Sequence, residues 1–147
     1  MAKRTTVRSV ALIANPDKPR AKAELPRLEA WFKRRRIAVH GANQLGRADA
    51  VVTLGGDGTI LSIAPKAARE NIPVLGINVG RLGFMTSIEM NGLYKSLERW
   101  ITQRWTISQR QMLEVTAPRV KSPLLALNDA IIRIGSTTRV TTVYAAI

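Results

Sequence analysis

AVVTLGGDGT, residues 50–59, joins an apolar run to a glycine-rich turn. The run Ala50–Leu54 contains three β-branched residues, and a continuous apolar stretch of this kind is typical of a strand buried on both faces of a parallel sheet. The residues that follow the turn, Ile60–Ala64, can begin a helix. A strand, a tight glycine turn and a helix in this order predict one unit of an α/β fold.

The turn itself, Gly55-Gly56-Asp57-Gly58-Thr59, has the composition of a phosphate-binding turn. Glycines let the backbone approach a ligand closely, and the free N–H groups at a helix start favour anions, so we assign phosphate binding to Gly55, Gly56, Gly58 and Thr59. An aspartate would repel phosphate, but it can accept a proton from a hydroxyl or help to hold a cation between phosphates. The turn therefore indicates phosphoryl transfer with Asp57 as the candidate base; capping of the following helix is the structural alternative.

Composition limits the class of protein. The chain has 147 residues, 46% of them hydrophobic, which is enough for one domain or for one domain and part of another. The absence of cysteine excludes disulfides and thiolate metal sites. Residues 1–6 carry no apolar leader, and no run approaches the roughly 20 apolar residues of a membrane span. We therefore expect a cytoplasmic protein that does not contact a membrane.

The net charge is +13, from 23 Lys and Arg against 10 Asp and Glu, and such a balance first suggests nucleic acid. The basic residues are scattered, however, and the one dense cluster, Lys33–Arg36, falls at the expected end of a helix, where the helix dipole favours cations. Only 5% of the residues are aromatic, which is unlike the interleaved stacking residues of single-strand binders. We expect polyanionic small substrates such as nucleotides rather than nucleic acid.

Apolar periodicity predicts an alternation of strands and helices. Strands are expected over 7–14, 37–40, 48–54 and 73–78, and helices over 21–35, 59–70 and 91–103. Pro26 is expected in the first turn of its helix, and Pro65 indicates a kink or an early break. The pattern predicts a parallel sheet with flanking helices, a Rossmann-like domain over 1–107, with ligands at the carboxyl ends of its strands.

The pattern changes after residue 107. Short apolar runs at 112–116, 123–127, 130–134 and 139–147 read as strands with no helices between them. We expect residues 108–147 to be the first strands of an all-β domain that is incomplete at Ile147, and an unfinished sheet leaves an open edge.

Three motifs together resemble the NAD kinase family. They are GGDGT at 55–59, NVGRLGFMT at 78–86 and ALND at 126–129. The first is shared with diacylglycerol and sphingosine kinases, whereas the second distinguishes the chain from these lipid kinases, which carry a Gly-Thr-x-Asn-Asp block there. NAD kinases phosphorylate the 2′-hydroxyl of the adenosine ribose of NAD to give NADP. The resemblance covers residues 7–147.

The resemblance implies roles for individual residues. Asp57 matches the base that takes the proton of the ribose hydroxyl, and Gly58 matches a backbone contact to the dinucleotide. The other NAD-binding positions it implies are Asn78, Phe84 as an apolar wall beside the adenine, Asn128, Asp129 and Arg139. Each has a structural alternative: Asn78 and Asn128 as turn residues, Phe84 as core, and Arg139 as a solvent-facing cation. The family also implies Mg²⁺ or another divalent cation, NAD as substrate, ATP or another phosphoryl donor such as polyphosphate, and a homo-oligomer of the full-length protein; no protein metal ligand is expected.

The chain departs from the family in length. Family members continue with a further Asp-Gly pair and a Thr-Pro-Thr-Gly-Ser-Thr-Ala-Tyr stretch, neither of which follows residues 126–129 in this sequence. We therefore expect an incomplete and poorly active fragment, or else a short form that has lost activity. Two other functions stay open: a lipid kinase relative and a non-catalytic module that binds nucleotide or nucleic acid.

Overall fold

The computed structural model describes residues 7–81, 83–103, 105–116 and 121–131. Their elements follow in chain order: β1 (Ser9–Ala14), α1 (Pro19–Arg34), β2 (Ala38–His40), a 3₁₀ segment (Ala42–Arg47), β3 (Ala50–Gly55), α2 (Asp57–Arg69), β4 (Val74–Asn78), β5 (Ile88–Glu89), α3 (Leu93–Thr102), β6 (Leu113–Val115) and β7 (Leu124–Ala126). Within these ranges, no helix combines the length and the apolar character that crossing a membrane would require.

The main sheet has five parallel strands in the order β2-β1-β3-β4-β5. Strands β6 and β7 form a separate antiparallel pair. This confirms the α/β class with a parallel sheet and flanking helices, and the small second sheet is consistent with the start of an all-β unit. Division of the chain at residue 107 stays a prediction. Of the strand predicted at 130–134, Ala130 and Ile131 are not in a strand, and the remainder lies outside the described residues, as does the strand predicted at 139–147.

Two apolar cores lie on opposite faces of the main sheet. Helices α1 and α3 cover one face, where Phe32 and Leu97 pack with Val10 and Val52 of the strands. Helix α2 and the 3₁₀ segment cover the other face; that core includes Ala11, Leu45, Val51, Ile63 and Ala67. Successive residues of β1 and β3 enter different cores because side chains alternate across a strand. The sheet is therefore buried on both faces, as the apolar run at 50–54 predicts.

The expectation for Pro26 needs correction, and of the two alternatives for Pro65 the early break is excluded. Pro19, not Pro26, occupies the start of α1, and Pro26 lies inside the helix. Helix α2 continues through Pro65 to Arg69, so the early break was wrong. An interior proline removes one backbone hydrogen bond. The buried faces of these helices, Leu28 and Phe32 on α1 and Ile63 on α2, supply tertiary packing that outweighs this local cost. The sequence pattern also missed β5, since two residues are too few to show a period.

A buried polar contact joins α1 and α3. The hydroxyl of Tyr94 donates a hydrogen bond to Glu24, whose side chain is buried. Burial, followed by the hydrogen bond to Glu24, raises the pKa of Tyr94 from 10.0 to about 12. A tyrosine that keeps its proton longer in the folded state contributes stability that is fully present below the unfolded pKa and is lost as the pH rises through the folded pKa.

We therefore expect the free energy of unfolding to fall as the pH rises from about 10 to about 12. Urea titrations across this interval measure the fall, and Tyr94→Phe, which cannot ionise, should show a smaller one. An equal fall in both proteins would show that Tyr94 is not the group responsible.

Candidate functional site

The turn between β3 and α2 presents free backbone donors at an open surface. Gly56 is the N-cap of α2 with extended backbone angles, φ −134° and ψ −165°. Among the described residues, the amides of Asp57 and Gly58 have no hydrogen-bond acceptor. A Cβ added at Gly56 or at Gly58 would meet no atom within 4 Å. Free N–H groups at a helix N-terminus, on a backbone that nothing covers, are what an anion needs.

Gly55 and Thr59 shape this turn from the inside. Gly55 is buried, and a Cβ added there would lie 1.9 Å from Thr59 Oγ1. Thr59 is 6% exposed, and its hydroxyl has no hydrogen-bond partner among the described residues. The glycine at position 55 is therefore required by close packing, whereas Gly56 and Gly58 face outward. The phosphate contacts of all four residues stay predictions.

Gly55→Ala should therefore destabilise the protein, by about 1–3 kcal/mol for an overpacked site. Gly58→Ala is the matched control, because its added methyl meets open space and alanine is the better helix former, by up to about 1 kcal/mol. Chemical denaturation of the two variants should move in opposite directions from the parent. Equal stability of the Gly55→Ala variant and the parent would contradict this account of the turn.

Asp57 is the first residue of α2, and its carboxylate does not cap its own helix. It accepts the backbone N–H of Phe84 at 2.8 Å on Oδ2 and that of Met85 at 3.0 Å on Oδ1. The capping alternative considered from the sequence is therefore wrong. Asp57 joins the glycine turn to the segment that connects β4 and β5, and its side chain is half-buried.

The segment after β4, residues 79–81 and 83–87, brings two of the predicted residues to Asp57. Phe84 is one of them: its side chain is 99% exposed, which excludes the core alternative, while its backbone amide is bound to Asp57. Asn78 is 4% exposed and uses its amide group locally, accepting from the Gly80 N–H at 2.8 Å and donating to the Arg81 carbonyl at 2.7 Å. The structure thus shows Asn78 inside its own turn; its predicted contact with NAD stays a prediction.

A cleft of about 250 Å³ opens on the other side of the first turn of α2. It is lined by residues from the end of β1 and from α2, namely Ile13, Ala14, Asn15, Pro16, Gly58, Thr59 and Ser62. The strand order β2-β1-β3 makes the gap between β1 and β3 the point where the chain reverses its direction of winding, and ligands of open α/β sheets bind in such crevices.

The sequence reasoning missed Asn15, Pro16 and Ser62 as site residues. Asn15 and Pro16 follow β1, and residues of these two types are common in turns without any role in binding. The signal available was their position after a parallel strand, because all carboxyl ends of such a sheet share one edge. The backbone N–H of Asn15 donates to the Leu54 carbonyl at 2.8 Å, and this bond fixes the end of β1 beside the glycine turn.

The remaining predicted residues are not brought to this turn by any contact in the described parts of the chain. Asn128 and Asp129 follow β7 and are exposed, and no described hydrogen bond joins them to residues 55–59. The β7 region does approach α2, since Arg69 donates to the Pro123 carbonyl at 2.7 Å. Arg139 lies outside the described residues.

The described residues contain no group of three or more His, Cys, Asp or Glu side chains that could hold a metal ion. Asp57 is the carboxylate at the glycine turn. Mg²⁺ is commonly bound by one or two carboxylates together with substrate phosphates and water. The donor set at this turn therefore fits a Mg²⁺ that arrives on nucleotide phosphates, and it does not fit a cage built by the protein.

The region around the glycine turn is similar in sequence and in structure to known proteins. Residues 42–105 match the ATP-NAD kinase N-terminal domain. The NAD kinase of Heliobacterium modesticaldum is 36% identical over an alignment 158 positions long, which covers 95% of this chain and 56% of that protein. The crystal structure of an NAD kinase from Archaeoglobus fulgidus in complex with ATP superposes with a TM-score of 0.51 at 29% identity, covering 64% of this chain and 37% of the other. Yeast NADH kinase complexed with NADH has the same fold, with a TM-score of 0.59 at 18% identity over 84% of this chain and 47% of the other.

The chain spans about half the length of the curated relatives it matches. The aligned region contains the glycine turn, Asp57 and the segment that binds it. The domain match and the named relatives show that the chain is similar to NAD kinases over about half of their length.

Proposed function

We propose that this chain is part of an NAD kinase, which transfers a phosphoryl group from ATP to the 2′-hydroxyl of the adenosine ribose of NAD. The observation that carries the proposal is the placement of the Asp57 carboxylate beside the free amides of the α2 N-terminus. The match of residues 42–105 to the ATP-NAD kinase N-terminal domain supports it, as do the relatives described in complex with ATP and with NADH.

The two sides of the glycine turn suggest separate places for the two substrates. The cleft between β1 and α2 is lined by Gly58, whose backbone amide has no acceptor in the described parts of the chain, and we assign the phosphates of ATP to it. The Ser62 hydroxyl in the same cleft donates to the Thr59 carbonyl. The opposite side carries Asp57 and the exposed ring of Phe84, and we assign the adenosine of NAD to it. Contacts of NAD with Asn128, Asp129 and Arg139 are part of the proposal through the family resemblance.

Asp57 can act as the base with the geometry it has. A carboxylate offers about four lone-pair sites, and the Phe84 and Met85 amides occupy one on each oxygen. A ribose hydroxyl could donate to a remaining site, so that its proton passes to Asp57 as the hydroxyl oxygen bonds to the γ-phosphorus and the bond from that phosphorus to the bridging oxygen of ADP breaks. Mg²⁺, when bound on the phosphates, would neutralise their charge.

Cytoplasmic location and assembly of the full-length protein into a homo-oligomer belong to this proposal. The location is expected from the composition of the chain, and the assembly is implied by the resemblance to NAD kinases.

The test uses the ¹⁵N-labelled chain with NAD and ATP added separately in the presence of Mg²⁺. We expect ATP to shift the amide signals of Gly56 and Gly58, and NAD to shift that of Phe84. In the full-length context, an enzymatic assay specific for NADP then detects product, with diacylglycerol offered as an alternative acceptor in a parallel reaction. If neither nucleotide perturbs these amides at millimolar concentration, or if the lipid alone is phosphorylated, the proposed function is wrong.

A further inference from the structure

The carboxylate of Asp57 is held in place by a segment from another part of the fold. Rotation about its side-chain bonds would otherwise leave several orientations available to a half-buried aspartate. The two hydrogen bonds from Phe84 and Met85, one to each oxygen, select one of them. Hydrogen bonds to a charged group are among the stronger ones in proteins.

The segment that supplies these donors is itself anchored at both ends. At its start, the Val79 amide donates to the Gly55 carbonyl at 3.0 Å, which ties it to the end of β3. At its far end, the Ser87 amide donates to the Gly76 carbonyl at 2.9 Å. Between these points, the buried side chain of Asn78 binds Gly80 and Arg81 and closes the first turn of the segment.

Close packing against Asp57 requires a residue without a side chain at position 83. A Cβ added to Gly83 would lie 2.3 Å from Asp57 Oδ1, 2.7 Å from Cγ and 2.9 Å from Oδ2. An alanine there would have to displace the carboxylate or the backbone that binds it. Gly80, in the same segment, has no atom within 4 Å of an added Cβ.

We propose that Asn78 and Gly83 are positioning residues, which set the orientation of the Asp57 carboxylate through the segment that carries the Phe84 and Met85 amides. Asn78 fixes the turn from which the segment starts, and Gly83 lets the backbone approach the carboxylate. Neither residue has to touch a substrate for this role. The consequence for phosphoryl transfer rests on the proposed function; the consequence for the carboxylate does not.

Hydrogen exchange of the Phe84 and Met85 amides tests the proposal directly on the 147-residue chain. Asp57→Ala removes the acceptor of both hydrogen bonds and therefore gives the largest acceleration of amide exchange to be expected. We expect that acceleration to be at least about tenfold, because a hydrogen bond to a charged group is lost. Gly83→Ala should accelerate exchange of both amides to a similar extent. Gly80→Ala is the matched control, and it should leave their exchange unchanged. Asn78→Ala should also accelerate both.

Comparing the exchange of these two amides with that of the β3 amides separates a positioning role from a general loss of stability. In the Gly83→Ala variant, the core amides of β3 should keep their protection, because only the segment is altered. Protected Phe84 and Met85 amides in a folded Gly83→Ala variant would overturn the proposal, and so would acceleration of the β3 amides to the same degree. In a preparation that forms NADP, Gly83→Ala should lower kcat with little change in the KM for NAD. Loss of amide protection in the Gly83→Ala variant, in a parent chain whose Gly56, Gly58 and Phe84 amides respond to neither ATP nor NAD, would contradict the proposed function and leave the positioning role supported.

Discussion

Asp57→Asn is expected to lower the turnover of NADP formation by at least about a hundredfold, the usual scale of losing a general base. The amide of asparagine keeps the size of the side chain but cannot take the proton of the ribose hydroxyl. It also presents an N–H₂ group to one of the two backbone donors that the carboxylate now accepts. We therefore expect, in addition, a loss of about 1 kcal/mol in the free energy of unfolding. Turnover is measured at saturating NAD and ATP, in the full-length context that the family resemblance calls for.

Asp49→Asn is the matched control for this substitution. Asp49 precedes β3, whereas Asp57 follows it, so the two residues lie at opposite ends of this strand. The Asp49 carboxylate also accepts two backbone amides, from Arg8 at 2.8 Å and from Ser9 at 2.9 Å, but both on Oδ2. An asparagine can keep these two bonds with its one amide oxygen, so Asp49→Asn should lose less stability than Asp57→Asn, and only Asp57→Asn should lose turnover. A similar loss of turnover in both would attribute the effect to folding, and retained turnover in Asp57→Asn would remove Asp57 from the role of base.

Phe32→Ala should cost about 3–5 kcal/mol of unfolding free energy, the range for deleting a buried aromatic ring. Phe32 is fully buried in the core between α1 and the sheet, where it packs edge-on against Trp31 at a ring distance of 5.1 Å. Its removal leaves a cavity that the neighbouring strands cannot close. Because small domains are stable by only about 5–15 kcal/mol, the variant should show a large drop in its denaturation midpoint.

The second phenylalanine of the described structure provides the control. Phe84 is 99% exposed, so Phe84→Ala removes little buried surface and should change the unfolding free energy by less than about 0.5 kcal/mol. Under the proposed function, the same substitution should weaken NAD binding. Equal destabilisation by the two substitutions would contradict the assignment of Phe32 to the core and of Phe84 to the surface.

The sequence alone predicts those parts of the fold that depend on residues close together in the chain. The apolar run at 50–54 has to be buried on both faces, and the periods of α1, α2 and α3 give each helix one apolar side, so alternation alone predicts a parallel sheet between helices. The sequence also predicts an accessible turn at the start of α2, because the glycines at positions 56 and 58 place no side chain over its backbone. The position of Pro26 in α1 was predicted wrongly, since tertiary packing decided it against local preference.

By itself, then, the sequence determined a glycine turn with a carboxylate at the end of a buried strand, since these properties depend on neighbours along the chain. Only the tertiary structure decided which groups the Asp57 carboxylate contacts. The pairing of β4 with both β3 and β5 returns residues 83–85 to Asp57, and the pairing of β1 with β3 places Asn15 beside Gly58. These contacts join residues far apart in the chain, and strand order, which no local pattern encodes, sets which strand ends become neighbours.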